Sequence, residues 1–462
     1  MKVFLVLTLI ILSLSINIFS QVQFTSHVIT MNAPNVEEMY AEDVDGDGDL
    51  DVISALFVTN KIYWYENDGN GNFTEILIST EADGPRSVYA YDINDDGNMD
   101  VLSASMRDDE VAWFENDGDE NFTYHIIATN ANQGTSVFAI DVDGDGDADV
   151  LAASAFDDRF FWYENDGNES FTSHTISTNV NSPQSVFAID VDGDGDMDVL
   201  SASLIDKKIA WYENDGDEIF TQHVISTDAT LAKQVYAIDV DGDGDIDVLS
   251  ASSGNDKIAW YENDGNENFT EHAIATDADY AYSVNAADID GDTDIDVLSA
   301  SREDNKIAWY ENDGNENFTT HIISTGAVKA ICVLARDVDG DGDMDVLSAS
   351  ALDSEINWYE NLSIVSIESI SNEIPNEYSL NQNYPNPFNP TTNIEYSIPE
   401  QSFVELKVYD VLGNEIATLV NEEQSAGIYE ANFNGVSLTS GTYFYRIQAS
   451  DFVQIRKMTL LK

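Results

Sequence analysis

Asp43-Val-Asp-Gly-Asp-Gly-Asp-Leu-Asp51 decides the fold of this chain, because it is not met only once. The same nine-residue pattern starts again at Asp92, Asp141, Asp190, Asp239, Asp288 and Asp337, each start 49 residues after the last. A period held this long without insertion marks a repeat architecture rather than an acidic low-complexity segment.

Read as D-x-D-x-D-G-x-x-D, the stretch sets carboxylates at positions one, three, five and nine. Gly at position six makes a sharp turn, and position seven offers its backbone carbonyl. Hard dications with oxygen ligands bind loops of this kind. The candidate metal residues are Asp43, Asp45, Asp47, Asp49 and Asp51 in the first loop, and Asp92, Asn94, Asp96, Asn98 and Asp100 in the second. The third and fourth supply Asp141, Asp143, Asp145, Asp147 and Asp149, then Asp190, Asp192, Asp194, Asp196 and Asp198. The fifth and sixth supply Asp239, Asp241, Asp243, Asp245 and Asp247, then Asp288, Asp290, Asp292, Asp294 and Asp296. The seventh supplies Asp337, Asp339, Asp341, Asp343 and Asp345.

Four or five carboxylates within nine residues repel one another unless a cation neutralises them. Up to seven calcium ions are therefore expected, magnesium being disfavoured by its tighter octahedral demand. The loop is not an EF-hand: position twelve is Ser54, Ser103 or Ala152 rather than Glu, and the Asp-Val-Leu-Ser-Ala-Ser that follows alternates like a strand. Two copies depart from the pattern. Asn94 and Asn98 leave the second loop with less charge, and Thr293 stands in the sixth where Gly belongs. A β-branched residue resists a left-handed turn, which predicts a weaker or empty sixth site.

Around each loop the 49-residue unit reads as four short strands. In the third unit these are 136–140, 149–154, 160–164 and 171–176, joined by the aspartate loop, a short charged link, an Asn-Asp-Gly turn and a polar crossover. Asn-Asp-Gly between alternating runs is a hairpin signal. Seven such units predict an all-β chain with a seven-bladed β-propeller, which hides its sheet edges by radial closure. The Phe-Thr-x-His outer strand also occurs at Phe24, while the last unit stops at Asn361 without one. Residues 23–29 are thus expected to complete the final blade.

The period also sorts the conspicuous side chains. All seven tryptophans, from Trp64 to Trp358, fall 49 apart, so they read as blade packing rather than a sugar-stacking cluster. The six histidines share one outer-strand position, with Ile76 in the remaining copy, too dispersed for a common metal. Ala41 and its six equivalents mark the crowded innermost strand.

The 462 residues hold 18 Lys and Arg against 87 Asp and Glu, a formal charge of −69. Such a surface repels phosphates, which excludes nucleic-acid binding. The seven loops carry 34 of those acids, so much of the imbalance is ligand inventory. A lone cysteine, Cys332, rules out an internal disulfide, leaving metal as the staple for an exported chain.

Residues 1–20, with Lys2 followed by an apolar run, read as a secretory signal peptide cleaved before Gln21. The run is too short to span a membrane, so no transmembrane span is expected in the mature protein. The repeats occupy 21–361, and 362–377 reads as a linker. Residues 378–462 lose the acidic bias and alternate as a small β-sandwich.

The repeats, with D-V-D-G-D-G-D-x-D-V-L-S-A-S and W-Y-E-N-D-G, resemble the FG-GAP/VCBS-type repeats of integrin α-subunit propellers and bacterial surface proteins. That resemblance implies a propeller with calcium in the loop joining the first two strands of each blade. The C-terminal stretch resembles the type A sorting domain of the type IX secretion system. Tyr384-Pro-Asn-Pro-Phe-Asn-Pro390, Val408-Tyr-Asp-Val-Leu-Gly413, Leu438-Thr-Ser-Gly441 and Lys457-Met-Thr-Leu-Leu-Lys462 carry the likeness. It implies a didermic, Bacteroidetes-like source and the secretion machinery as partner of residues 378–462. It also implies delivery across the outer membrane to the cell surface or medium, and gives the Asn-Phe-Thr sequons at Asn72, Asn121, Asn268 and Asn317 little meaning for glycosylation.

The function that follows is a non-catalytic binding or adhesion module for an extracellular glycan or protein. The alternative is a calcium-dependent polysaccharide lyase or hydrolase, but no G-x-S-x-G or H-E-x-x-H motif is present. No catalytic residue is assigned. The end of each unit away from the aspartate loop varies between copies, so recognition is expected there, at Arg107, Arg159, Phe160 and Tyr282.

Overall fold

The computed structural model describes residues 22–362 except 217, and 368–461 except 372–374, 376–377, 389–390, 400, 410, 412–414, 425, 436–437, 439 and 451. The expected signal peptide lies outside the described residues. Among those residues every regular element is a strand.

The first repeat sets the pattern. Val36–Glu42, Asp51–Leu56, Lys61–Asn67 and Phe73–Ser79 form one antiparallel sheet in sequence order. Five more sheets repeat this order, and the third unit's strands, Gly134–Ile140, Asp149–Ser154, Arg159–Asn165 and Phe171–Ser177, match expectation within two residues. In the seventh sheet the outermost strand comes from the N-terminus. Phe24–Thr30 pairs with Glu355–Asn361, placing Phe24 opposite Asn361 and His27 opposite Trp358.

The second strand of every unit is buried along its whole length, because neighbouring sheets cover both of its faces. Trp64, Ile53 and Ile62 of the first unit pack on Val88, Ala90, Val101 and Phe114 of the second, and the other interfaces copy this. All seven tryptophans are buried, as are Ala41 and its equivalents. Innermost strands lie side by side: Val36–Glu42 touches both Pro85–Tyr91 and Ala330–Arg336, so the first unit neighbours the last. Five consecutive units send Tyr40, Tyr89, Phe138, Phe187 and Tyr236 inward, successive ring centroids lying 4.5, 4.7, 5.1 and 5.3 Å apart.

The C-terminal part has two four-stranded sheets. One orders Glu368–Ser371, Gly427–Asn434, Thr391–Ile398 and Ser379–Leu380; the other orders Glu415–Gln424, Ser402–Tyr409, Gly441–Ala449 and Phe452–Leu460. Ile394 and Tyr396 of the first share a core with Leu406, Val408, Tyr445 and Ile447 of the second. Residues 368–371 fall in the stretch expected to be a linker; instead they pair with Gly427–Asn434 as an edge strand. The architecture is all-β, built of repeated four-stranded sheets of the kind that make propeller blades.

Candidate metal centres

Each aspartate loop folds on its own carboxylates. The amides of Gly46 and Gly48 donate to Asp43 Oδ1 and Oδ2 at 2.8 and 3.0 Å. Asp47 N donates to Asp45 Oδ1 at 3.1 Å, and Asp49 N to Asp47 Oδ1 at 2.9 Å. Gly48 has φ of +98°, a conformation glycine enters without steric cost. Position nine is the anchor. Asp51 is wholly buried and accepts hydrogen bonds from Val44 N at 3.1 Å and Asn67 N at 2.7 Å.

These bonds aim the carboxylates inward. Oxygens of Asp43, Asp45 and Asp51 lie within 4.8 Å of one another, as do those of Asp141, Asp143 and Asp149, Asp239, Asp241 and Asp247, and Asp288, Asp290 and Asp296. The fourth loop gathers Asp190, Asp192 and Asp194 instead. Position seven does not join these five clusters. Asp49 leans over Gly69 of the Asn-Asp-Gly turn, where an added Cβ would stand 2.2 Å from Asp49 Oδ2. That contact, and φ of +68°, explain the glycine of the turn.

The sixth loop keeps the shape of the others. Thr293 sits at φ of +80°, and its amide reaches Asp288 Oδ2 at 3.0 Å just as Gly48 reaches Asp43. The threonine strains the turn, yet Asp288, Asp290 and Asp296 still converge.

Burial pushes the position-nine carboxyls far up, against two amide bonds that favour their charged form. Asp51, Asp100, Asp198 and Asp345 rise to about 7, Asp149 and Asp247 to about 6, and Asp296 to about 8. Asp143 is raised chiefly by burial, with Asp145, Asp141 and Glu164 adding repulsion. Asp192, Asp241, Asp290 and Asp339 likewise feel Glu213, Glu262, Glu311 and Glu360. The donors are all oxygens, oriented by the backbone and mutually repelling, a set that fits a hard dication such as calcium. Position-one and position-three carboxylates would hold it, with position nine in four of the five clusters and position five in the fourth loop, and its charge would relieve their repulsion.

The glutamate of Trp-Tyr-Glu-Asn is thus a neighbour of the loop that motif reading missed. The signal was its recurrence directly before the asparagine. A histidine fixes it: His27 Nε2 lies 2.7 Å from Glu360 Oε2, with the imidazole stacked on Trp358 at 4.6 Å. The other five histidines do the same in their own sheets. The asparagine was also missed. Asn116 Nδ2 donates to Met99 O of its own loop and to Val44 O of the preceding one, both at 3.1 Å. Sequon asparagines are occupied too, Asn72 Nδ2 donating to both carboxylate oxygens of Asp68.

At the opposite end, the residues expected to form a recognition face divide. Arg159 is exposed, and Arg107 lies 4.2 Å over the Phe57 ring and 3.0 Å from Asn60 Oδ1. Phe160 is no surface residue: it is fully buried against Tyr212, because it takes the core place that Ile209 holds in the next unit. Tyr282 faces the axis, where its hydroxyl meets Arg86 at 3.2 Å.

The FG-GAP-like repeat model matches residues 43–103, 92–152, 141–201, 190–250, 239–299 and 288–348, six overlapping spans that join seven loops. The secretion system C-terminal sorting domain matches 382–460. No curated protein matches the chain. Among solved structures, a functionally unknown protein from Desulfotomaculum acetoxidans is 10% identical over 69% of this chain and 90% of its own, with a TM-score of 0.46. A Lactobacillus plantarum protein is 11% identical over 81% and 96%, at 0.47. PorZ, an essential surface component of the type-IX secretion system of Porphyromonas gingivalis, is 15% identical over 93% and 60%, at 0.43. No helix among the described residues is long and apolar enough to cross a membrane. The chain belongs to the FG-GAP-like repeat proteins and carries a sorting domain that sends it by type IX secretion to the cell surface or the extracellular space.

Proposed function

We propose that the seven sheets close into a seven-bladed propeller stapled by calcium, and that the protein is a non-catalytic binding or adhesion module for a glycan or protein outside the cell. All seven loops take part, the strained sixth included, and position seven contributes its backbone carbonyl. The repeats and the sorting domain act as separate units, with 368–371 belonging to the second.

One contrast carries the reading. At the loop end every unit repeats almost letter for letter, as a metal scaffold requires. At the other end, equivalent innermost-strand positions hold Glu37, Arg86, Thr135, Gln184, Lys233, Tyr282 and Ile331, seven different side chains around one axis. A rigid ring that varies only at one end is a scaffold presenting a specific surface.

The test is retention on glycan and matrix-protein arrays, in calcium, beside incubation with a panel of polysaccharides. Retention without product supports a binding module. Release of new reducing ends or unsaturated sugars would make it an enzyme, and silence in both would make it a spacer.

A further inference from the structure

Away from the aspartate loops, the seven innermost strands enclose an axial cavity of about 60 Å³. It has room for several waters or one small charged group, with the remainder of a ligand projecting from the mouth. Three residues further along the same strands, past a β-bulge, lie the aromatic rings of Tyr40 and its neighbours. The cavity is therefore a cup.

Its charge is unlike the rest of the protein. Arg86 lies 3.2 Å from the Tyr282 hydroxyl and only 3.5 Å from Glu37 Oε2, a long contact. Lys233 Nζ stands 5.1 Å over the Tyr282 ring, and the Arg302 guanidinium, just outside the cavity's lining, 5.8 Å over the rings of both Tyr280 and Tyr282. Three cations thus converge on one tyrosine in a chain with 18 basic residues. Lys233 makes no hydrogen bond or ion pair among the described residues, and Arg302 Nε is buried without a partner. Burial, then Arg86 and Arg302, hold the Lys233 ammonium down at about 8, with Glu37 opposing them as the smallest influence. Glu38 does not offset them: its Oε2 accepts the Val88 amide, and burial pushes its carboxyl up to about 7.

The fold does not ask for these cations. Thr135, Gln184 and Ile331 occupy the Lys233 position in other units without charge. A half-buried, unpaired ammonium costs stability that such residues avoid. Thr135 and Gln184 add oxygen acceptors to the same lining, the Thr135 hydroxyl donating to Pro183 O at 2.9 Å and Gln184 Nε2 to the same carbonyl at 3.1 Å.

We propose that this axial cup binds the carboxylate of an acidic sugar, a uronate-type ligand. Lys233 and Arg302 serve as counter-charges, Arg86 and Tyr282 as donors, and Thr135 and Gln184 bond to sugar hydroxyls. The assignment rests on reading this end as the recognition face.

Titration calorimetry of the whole protein with sodium glucuronate, sodium acetate and glucose tests it. Saturable glucuronate binding is expected, with acetate and glucose each at least tenfold weaker. Lys233→Gln and Arg302→Gln should each weaken glucuronate at least tenfold with Tm equal to or above the parent's, while Lys233→Arg keeps most of the affinity. Absence of glucuronate binding, equal binding of acetate or glucose, or indifference to both Gln variants overturns the proposal. If the cup is silent while the protein is still retained on a glycan or matrix-protein array, only this site falls. If the arrays are silent too, the binding-module reading falls with it.

Discussion

Asn67 of the first unit donates from its side-chain amide to the backbone carbonyl of Val338 in the seventh aspartate loop, at 3.1 Å across 271 residues. The same bond recurs 72 residues apart in the other six units, as from Asn165 to Ile93 and from Asn361 to Ile289. Each asparagine also binds its own loop, Asn67 Nδ2 reaching Leu50 O at 3.1 Å and its backbone amide reaching Asp51. Every aspartate loop is therefore tied to the next sheet through one residue.

Removing that tie should loosen the ring. Asn116→Ala leaves the buried carbonyl of Val44 and the half-buried carbonyl of Met99 without their donor, which costs about 1–3 kcal/mol. Urea unfolding should show a lower midpoint with unchanged slope. A midpoint equal to the parent's would mean that the amide bonds add nothing to stability.

The chelated protein should grow less stable as pH rises. Position-nine carboxyls titrate near 6 to 8 when folded, against an ordinary value of 3.8. The folded form thus holds more protons between these limits, so the stability they contribute is full below about 4 and is lost as pH climbs through 6 to 8. Melting in EDTA at pH 5.5 and pH 8 checks this, with the higher Tm expected at pH 5.5. The reverse order would show that these carboxyls are charged in the apo fold.

Thr293→Gly should relieve the left-handed strain and stabilise the protein by about 1 kcal/mol. Calcium stoichiometry should not change, since the sixth cluster is already assembled. An added equivalent of bound calcium in the variant would show that threonine had kept the site empty.

Much of this was legible in the period. Strand positions, the burial of the tryptophans and the use of the N-terminal strand to complete the last sheet all follow from comparing one unit with the next. Contacts between units were not, because a repeat looks the same whichever neighbour it touches; Asn116 gives no sign that it reaches Val44. Phe160 was misread because its neighbours look like a surface link, although its alignment with Ile209 marks a core position. The edge strand 368–371 was too short to register as a pattern.

That strand sets where a truncation must fall. Ending the chain at residue 362, rather than 377, removes the sorting domain with its edge strand and leaves every repeat strand in place. The shortened protein should fold, resist protease and accumulate in the periplasm by cell fractionation. Its normal appearance at the surface would contradict the role of the C-terminal domain.

Calcium dependence tests the stapled ring most directly. Thermal melts of the same sample in EDTA and in millimolar calcium should separate widely, because an ion that binds only the folded loops stabilises by mass action at each occupied site. Magnesium at equal concentration should recover little of the difference. Coincident midpoints in EDTA and calcium would contradict it.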